Sequence, residues 1–454
     1  MEASGDRTIR TGQSAAKRFA ESAVPAMISQ FINAGTFWEV GNFMAGWDRH
    51  FGFRDWARVF RTVPSLRKYL VPALAWNVLL SLGGRKGYQG YSERYVPGRK
   101  YNFRYRSFCT DFLVWESIGR AASHFGIPVP KETTAILEAY SALAFRNCYA
   151  IPWEGMDLPL FSYFPRHDHL VPRGDAVYKL FFSRDDNVPD LDTTALVLGS
   201  LIQMNRLFGV GAGAYGHRRE ESEALLGLME QHVFGRGRFG RKSLSYDNGI
   251  LPDDEGVMTW VFDEHNELDP TSNINILNWL AVLPALHPDV DAGKIAGLAR
   301  GILRFLHNHV LDGSFLDERF QSYYPLGPVY HFWRRFMENY RASPDSIRKR
   351  LDPDGAASAI DGYLAARGEE LFRKEASNPF DRLVAAPFLY EHGIMKRELA
   401  AWVEQEEGLT SHFLDNHYEI FHLRYPSKII CAPLSFPQAC GLELAILVDK
   451  NPLI

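Results

Sequence analysis

Asn187-Val188-Pro189-Asp190-Leu191-Asp192-Thr193-Thr194-Ala195-Leu196-Val197-Leu198-Gly199-Ser200-Leu201-Ile202 is the stretch that decides how this chain is read. A turn-forming, Pro-flanked segment gives way to an apolar run, so a helix is expected to start here with two carboxylates at i and i+2. At its simplest, this is a capped helix start, with Asp190 and the two threonines satisfying its first N–H groups. The same spacing also suits acid chemistry. Burial and a charged neighbour both favour keeping one proton on a carboxyl pair, and such a pair is a candidate functional site.

Outward from this segment the helical period recurs. Apolar residues at i, i+3, i+4 and i+7 predict helices over 51–60, 64–82, 108–125, 131–144, 192–207, 220–234, 273–286, 292–310, 329–340, 356–367, 380–390, 396–405 and 436–447. No β-alternating partner stands out, so the expected fold class is all-α. Long irregular segments at 84–104, 145–175 and 235–272 are rich in Gly, Pro and aromatics, the composition of loops that carry function on a rigid scaffold.

A worn repeat falls at three predicted helix ends. Gln231 is followed by Gly237 and Phe239, Asn308 by Gly313 and Phe315, and Gln405 by Gly408 and Phe413. The repeat resembles the Gln-x(2–5)-Gly-x-Trp element of squalene-hopene and oxidosqualene cyclases. The stretch Asp190-Leu191-Asp192-Thr193-Thr194-Ala195 resembles the Asp-x-Asp-Asp-Thr-Ala motif of class II terpene cyclases, with Thr193 in place of the last acidic residue. This resemblance covers roughly residues 130–447. It implies an α/α barrel; 454 residues with about thirteen predicted helices fit a single one, expected over residues 25–454, and the polar start reads as a flexible leader of residues 1–24. The resemblance also implies that Asp192 donates a proton to an isoprene double bond while Asp190 tunes it. The same letters satisfy the Asp-x-Asp-x-Thr signature of haloacid-dehalogenase phosphatases. That signature belongs at the end of a buried strand, and residues 182–189 hold no run of four apolar residues.

Composition narrows the classes. The 454 residues carry 50 basic and 54 acidic side chains, a balance that gives nucleic acid no basic footprint. With 31 Phe, 20 Tyr and 10 Trp, the chain has aromatic faces to spare for a carbocation as well as for a large core. Cys109, Cys148, Cys431 and Cys440 form no Cys-x-x-Cys pair, which points to a reduced, cytoplasmic protein. His167 with His169, and His307 with His309, lack zinc-ligand spacing. Residues 1–20 are polar without a signal-peptide core, and the apolar run 69–82, broken by Pro72 and Asn77, is too short to span a bilayer. A peripheral membrane contact stays open as the route by which a greasy substrate enters.

The candidate site extends beyond the acid motif. Trp260, Phe262, Asn273, Asn275 and Trp279 lie on the descent from an acidic loop into a core helix, with Thr271 or Ser272 as its expected cap. An Asn there is placed to hydrogen-bond the acid pair and orient its proton. Trp153, Tyr324 and Tyr330 complete the expected aromatic walls. No cofactor is required. If the substrate carries a diphosphate, Asp253, Asp254 and Glu255 are the candidates for holding Mg²⁺, and Arg166, Lys179 and Arg184 for direct contact. The expected activity is protonation-initiated cyclisation of a linear prenyl diphosphate or a prenylated aromatic compound. The alternatives are the phosphatase and a non-catalytic barrel that binds an isoprenoid or a partner protein.

Overall fold

Helices make up most of the fold, and two of them are buried on every side over most of their length. The computed structural model describes residues 14–35, 37, 39–42, 103–105, 107–163, 189–210, 218–239, 243–244, 250–261, 265–316, 320, 324, 326–373, 379–404, 430–433 and 435–452. Among these the chain is mostly helical. The helices are α1 (Ala15–Ala34), α2 (Phe108–Phe125), α3 (Thr133–Arg146), α4 (Leu191–Phe208), α5 (Arg219–Gln231), α6 (Pro270–Leu286), α7 (Ala292–Leu311), α8 (Leu326–Ala342), α9 (Asp345–Leu351), α10 (Ala356–Arg373), α11 (Pro379–Glu391), α12 (Lys396–Glu404) and α13 (Phe436–Lys450).

Six of them close a circuit. α2 packs on α4, α4 on α6, α6 on α8, α8 on α11, α11 on α13, and α13 back on α2. Five others lie against this ring, α1 on α2 and α13, α3 on α4, α7 on α6, α10 on α8 and α11, and α12 on α13, while α5 and α9 pack on α7. Every residue from Pro270 to Leu283 in α6 and from Leu191 to Ser200 in α4 is buried. A helix with no solvated face must be accommodated on all sides, which is why these two carry few charges.

Three expectations change. The chain is not free of strands. β3 (Tyr149–Trp153) and β4 (Met156–Leu160) form an antiparallel hairpin, and β1 (Glu39–Asn42) lies between β2 (Phe103–Tyr105) and β5 (Ile430–Pro433). The hairpin turns on Glu154 and Gly155, both at positive φ (49° and 84°), the conformation that matches the twist of two paired strands. Residues 15–24 are not a loose leader. They open α1, capped by Ser14 and buried through Ala16, Phe19, Ala20, Ala23 and Val24. Their charged residues occupy the other face, which hid the apolar stripe. Finally, α6 starts a turn early, because Asp269 accepts the Ser272 N–H at 2.7 Å and Pro270 takes the first helical position. The predicted helices at 51–60 and 64–82 lie outside the described residues. No described helix is long and apolar enough to cross a membrane.

Candidate active site

The N-terminus of α4 is fixed from three directions. Asp190 is extended and caps the helix, its carboxylate accepting the Thr193 N–H. Its own N–H donates to the Phe161 carbonyl at 3.0 Å, and the Leu191 N–H donates to Thr259 O at 2.9 Å. The Thr194 hydroxyl donates to Asp190 O at 2.6 Å and accepts the Phe161 N–H at 2.9 Å. The capping reading therefore holds for Asp190, and Asp192 is left to point elsewhere.

Asp192 reaches two neighbouring elements. Its Oδ1 accepts from Asn275 Nδ2 of α6 at 2.7 Å, and its Oδ2 accepts the Tyr324 hydroxyl at 2.6 Å. Asp190 and Asp192 are both buried, and among the described residues no cation pairs with either. Burial, then the charge of Asp192, raises the pKa of Asp190. Asp192 is also raised, by burial first and by Asp269, while the Tyr324 and Asn275 hydrogen bonds pull the other way. Burial and the Asp192 charge keep the Tyr324 phenol protonated far above its ordinary range, so it is a donor. The arrangement holds a proton on the pair and stabilises the carboxylate that remains once the proton leaves.

No protein-family model and no curated protein matches the chain. The reading of the site rests on its own geometry.

The other expected site residues divide. Trp260 joins the acid motif through its backbone, which bridges Asp190, and its half-buried side chain packs on the core. Trp279 lies one turn beyond Asn275, fully buried, with its backbone close to Gly199 of α4. Asn273 does not reach the acid pair. Its amide binds the Val257 N–H and C=O (2.8 and 3.0 Å) and the Asp269 carbonyl (2.8 Å), clamping the preceding loop to α6. Tyr330 also turns away, packing on Phe372 of α10 and Phe388 of α11 with ring centroids 5.1 Å apart in each case. Trp153 packs towards Phe239, 6.4 Å between rings, and Gly227 of α5, which is not a ring helix. Phe262, Arg166, Lys179 and Arg184 lie outside the described residues.

The acidic run 253–255 does not fit a Mg²⁺ site. Asp254 is buried against His309 Nε2 (2.9 Å) and Asn308 Nδ2 (3.1 Å), whereas Glu255 faces Arg236 and Arg304 at 3.6 and 3.4 Å. Their carboxylates serve different partners, so Asp254 is a buried structural acid and not part of a solvated loop. Among the described residues no group of three His, Cys, Asp or Glu is placed to hold a metal.

Two of the three repeats fall at helix ends as expected. The Phe239 N–H caps Gln231 O at 2.7 Å, and the Phe315 N–H caps His309 O at 2.9 Å. A side chain at Gly237 would stand 2.4 Å from the same Gln231 oxygen, so glycine is required there. The third repeat lies outside the described residues beyond Glu404.

Sequence reasoning missed a polar core inside the ring. Arg335 of α8 pairs with Glu116 of α2 and donates to Ser200 of α4 at 3.2 Å. Its neighbour Arg334 pairs with Glu443 of α13 at 2.7 Å, and Glu443 also accepts from Ser117 at 2.8 Å. Further along, Gln203 donates to Asn339 at 2.6 Å and Asn339 to Asn278 at 2.8 Å, linking α4, α8 and α6. Ser200 lies eight residues beyond Asp192, about 12 Å along α4. At that depth the ring is crossed by ion pairs, so the apolar cavity expected of a lone barrel does not reach this layer. The available signal was Arg334-Arg335 set among Phe332, Trp333, Phe336 and Met337, a charge pair with no solvated face to occupy.

Proposed function

We propose that this chain is a class II terpene cyclase, a protonation-initiated catalyst of isoprenoid ring closure built as a single α/α barrel. The observation that carries the reading is a buried carboxyl pair, with no cation partner among the described residues, whose second member is held by an amide and a phenol on two other elements. The closed circuit of six helices with others outside it supports the barrel.

In this reading the pair's proton passes from Asp192 to the terminal double bond of a linear isoprenoid. The alkene's π electrons form the new C–H bond, leaving a tertiary carbocation. The Asp192 carboxylate keeps its hydrogen bonds from Tyr324 and Asn275. These favour the ionised form, so they lower the cost of giving up the proton. Each following double bond attacks the cation and closes a ring. The last cation loses a proton or captures water, and solvent then reloads the pair. Asp190 keeps a proton close between turnovers, because burial and the neighbouring charge oppose its ionisation.

The test is to incubate purified protein with farnesyl and geranylgeranyl diphosphates and with farnesylated phenols, and to read the products by mass spectrometry. A product of unchanged mass and altered retention supports the reading. Untouched substrates throughout, or release of inorganic phosphate with the carbon chain still linear, contradict it.

A further inference from the structure

One segment runs from α7 past α5 and α6 to the acid motif. Residues 250–261 leave the neighbourhood of α7, cross the C-terminal end of α5 and finish on the N-terminus of α4. At the far end, Asp254 is held by His309 and Asn308 of α7 and accepts the Leu251 N–H at 2.8 Å. In the middle, the Gly256 carbonyl accepts the Phe234 N–H at 2.9 Å and the Met258 N–H donates to His232 O at 3.0 Å. A side chain at Gly256 would strike Leu268 and Phe305 at 2.7 and 2.8 Å, so the segment lies flat against them. Asn273 of α6 grips Val257 on both backbone groups. At the near end, Thr259 O accepts the Leu191 N–H, and the Val261 N–H donates to Pro189 O at 3.3 Å. Leu191 is the residue between the two aspartates.

We propose that Asp254 and His309 are positioning residues for the acid pair, acting through this strap. Thr259 is five residues on from Asp254, at most about 18 Å of extended chain. The Thr259 N–H donates to Glu267 O at 2.9 Å and the Trp260 N–H to Asn266 at 2.7 Å, so the Asp254–His309 clasp fastens one end of a pinned run whose other end carries the Thr259 carbonyl. That carbonyl orients the Leu191 peptide and, with it, both carboxyl groups. The aromatic setting suits a fixed clasp. The His309 ring stacks on Phe320 at 3.8 Å and meets the edge of Phe305 at 5.4 Å. The chain Asp254, His309, Ser314 has the residue types of a nucleophilic triad, but Ser314 Oγ, 2.6 Å from His309 Nδ1, also donates to Asp312 at 2.6 Å. The Ser314 N–H is bound to the same Asp312 at 2.8 Å, so it is not free to stabilise an oxyanion. The clasp fastens and does not attack.

The strap follows from the hydrogen bonds alone, while its bearing on turnover rests on the cyclase reading. The full-length protein, His309→Phe (which keeps a stacked ring and loses both polar contacts) and Asp254→Asn are compared by amide hydrogen exchange. Peptides covering 189–196 and 250–261 should exchange about tenfold faster in both variants, with 200–208 unchanged. His309→Gln, which retains a donor, should recover part of the protection. Faster exchange confined to 250–258 would overturn the proposal, because the strap would not transmit. A uniform increase across all peptides would overturn it too, by making the clasp a general stabiliser. If the wild type cyclises, kcat should fall in step with the exchange of 189–196 while KM holds. If it cyclises nothing tested, the cyclase reading fails and the exchange result still decides the strap.

Discussion

Asp190 with Asp192, on one side, and Glu443, on the other, are carboxyl groups drawn out of water among the same helices, and the protein treats them in opposite ways. Burial pushes Glu443 upward as it does the aspartates. The guanidinium of Arg334, then His331 and Arg120, more than reverse that push and hold its carboxyl at about 2. At the start of α4 no such cation stands among the described residues, and burial prevails, aided by the charge of Asp192 on Asp190 and of Asp269 on Asp192. The lesson is that burial alone does not determine what a carboxyl does. With arginine it becomes a fixed charge that ties helices together, and without one it becomes a store for a proton.

The sharpest way to break the comparison is to remove the acid. Asp192→Asn should lower cyclisation by more than about 10³-fold, the upper range for general acid catalysis. Its melting temperature should hold or rise, because a buried repulsion disappears with the charge. Next in size is the opposite experiment. Arg335→Met takes away one of the two arginines on buried Glu116, leaving Arg120 at 2.6 Å, and should cost about 3 kcal/mol in denaturant unfolding. Pairing it with Glu116→Leu should recover much of that loss.

Tyr324→Phe and Asn275→Ala should each slow turnover about tenfold to a hundredfold. Each removes a hydrogen bond that favours ionised Asp192, so the pair's pKa should rise further. Activity requires the protonated pair and is lost as pH rises through that pKa. The descending limb of the pH–rate profile should therefore move to higher pH, which a simple packing defect would not produce.

Stability against pH separates the two sets as well. The aspartates have native pKa values above the unfolded 3.8, so their contribution is fully present below that pH and is lost as pH rises through the raised values. Glu443 is depressed from 4.5 to about 2, so its contribution is present above 4.5 and is lost as pH falls towards 2. Asp190→Asn should flatten the first slope and Glu443→Gln the second. Smallest of all should be Tyr330→Phe. Its buried hydroxyl has no hydrogen-bond partner among the described residues, so stability should change by no more than about 1 kcal/mol and turnover should not change.

Much of the helical framework was legible because apolar residues recur at helical spacing. The span 108–125 is α2 to the residue, and 292–310 misses only Leu311 of α7. The start of α4 was legible for a different reason, since Pro189 and Asp190 supply the stop and the cap that local chemistry demands. Asn275 was nameable as an amide placed to orient the acid and Tyr324 only as an aromatic wall, yet both meet Asp192. What stayed hidden depended on facing. Tyr330 and Arg335 are five residues apart, roughly 140° around α8, and only the neighbours decide which of the two looks inward. Asp254 read as solvated because its partners His309 and Asn308 are more than fifty residues away. Helix α1 was missed because its exposed face is polar and its stripe is short on large side chains, with Ala16, Ala20 and Ala23 among the buried residues.

The central claim is that Asp192 delivers a proton to carbon. The most direct measurement is turnover of an isoprenoid substrate in D₂O with mass and NMR analysis of the product. The account predicts one deuteron on the carbon that begins ring closure, in the wild type and not in Asp192→Asn. A cyclised product with no deuterium at that carbon, or an equal product yield from Asp192→Asn, would contradict it.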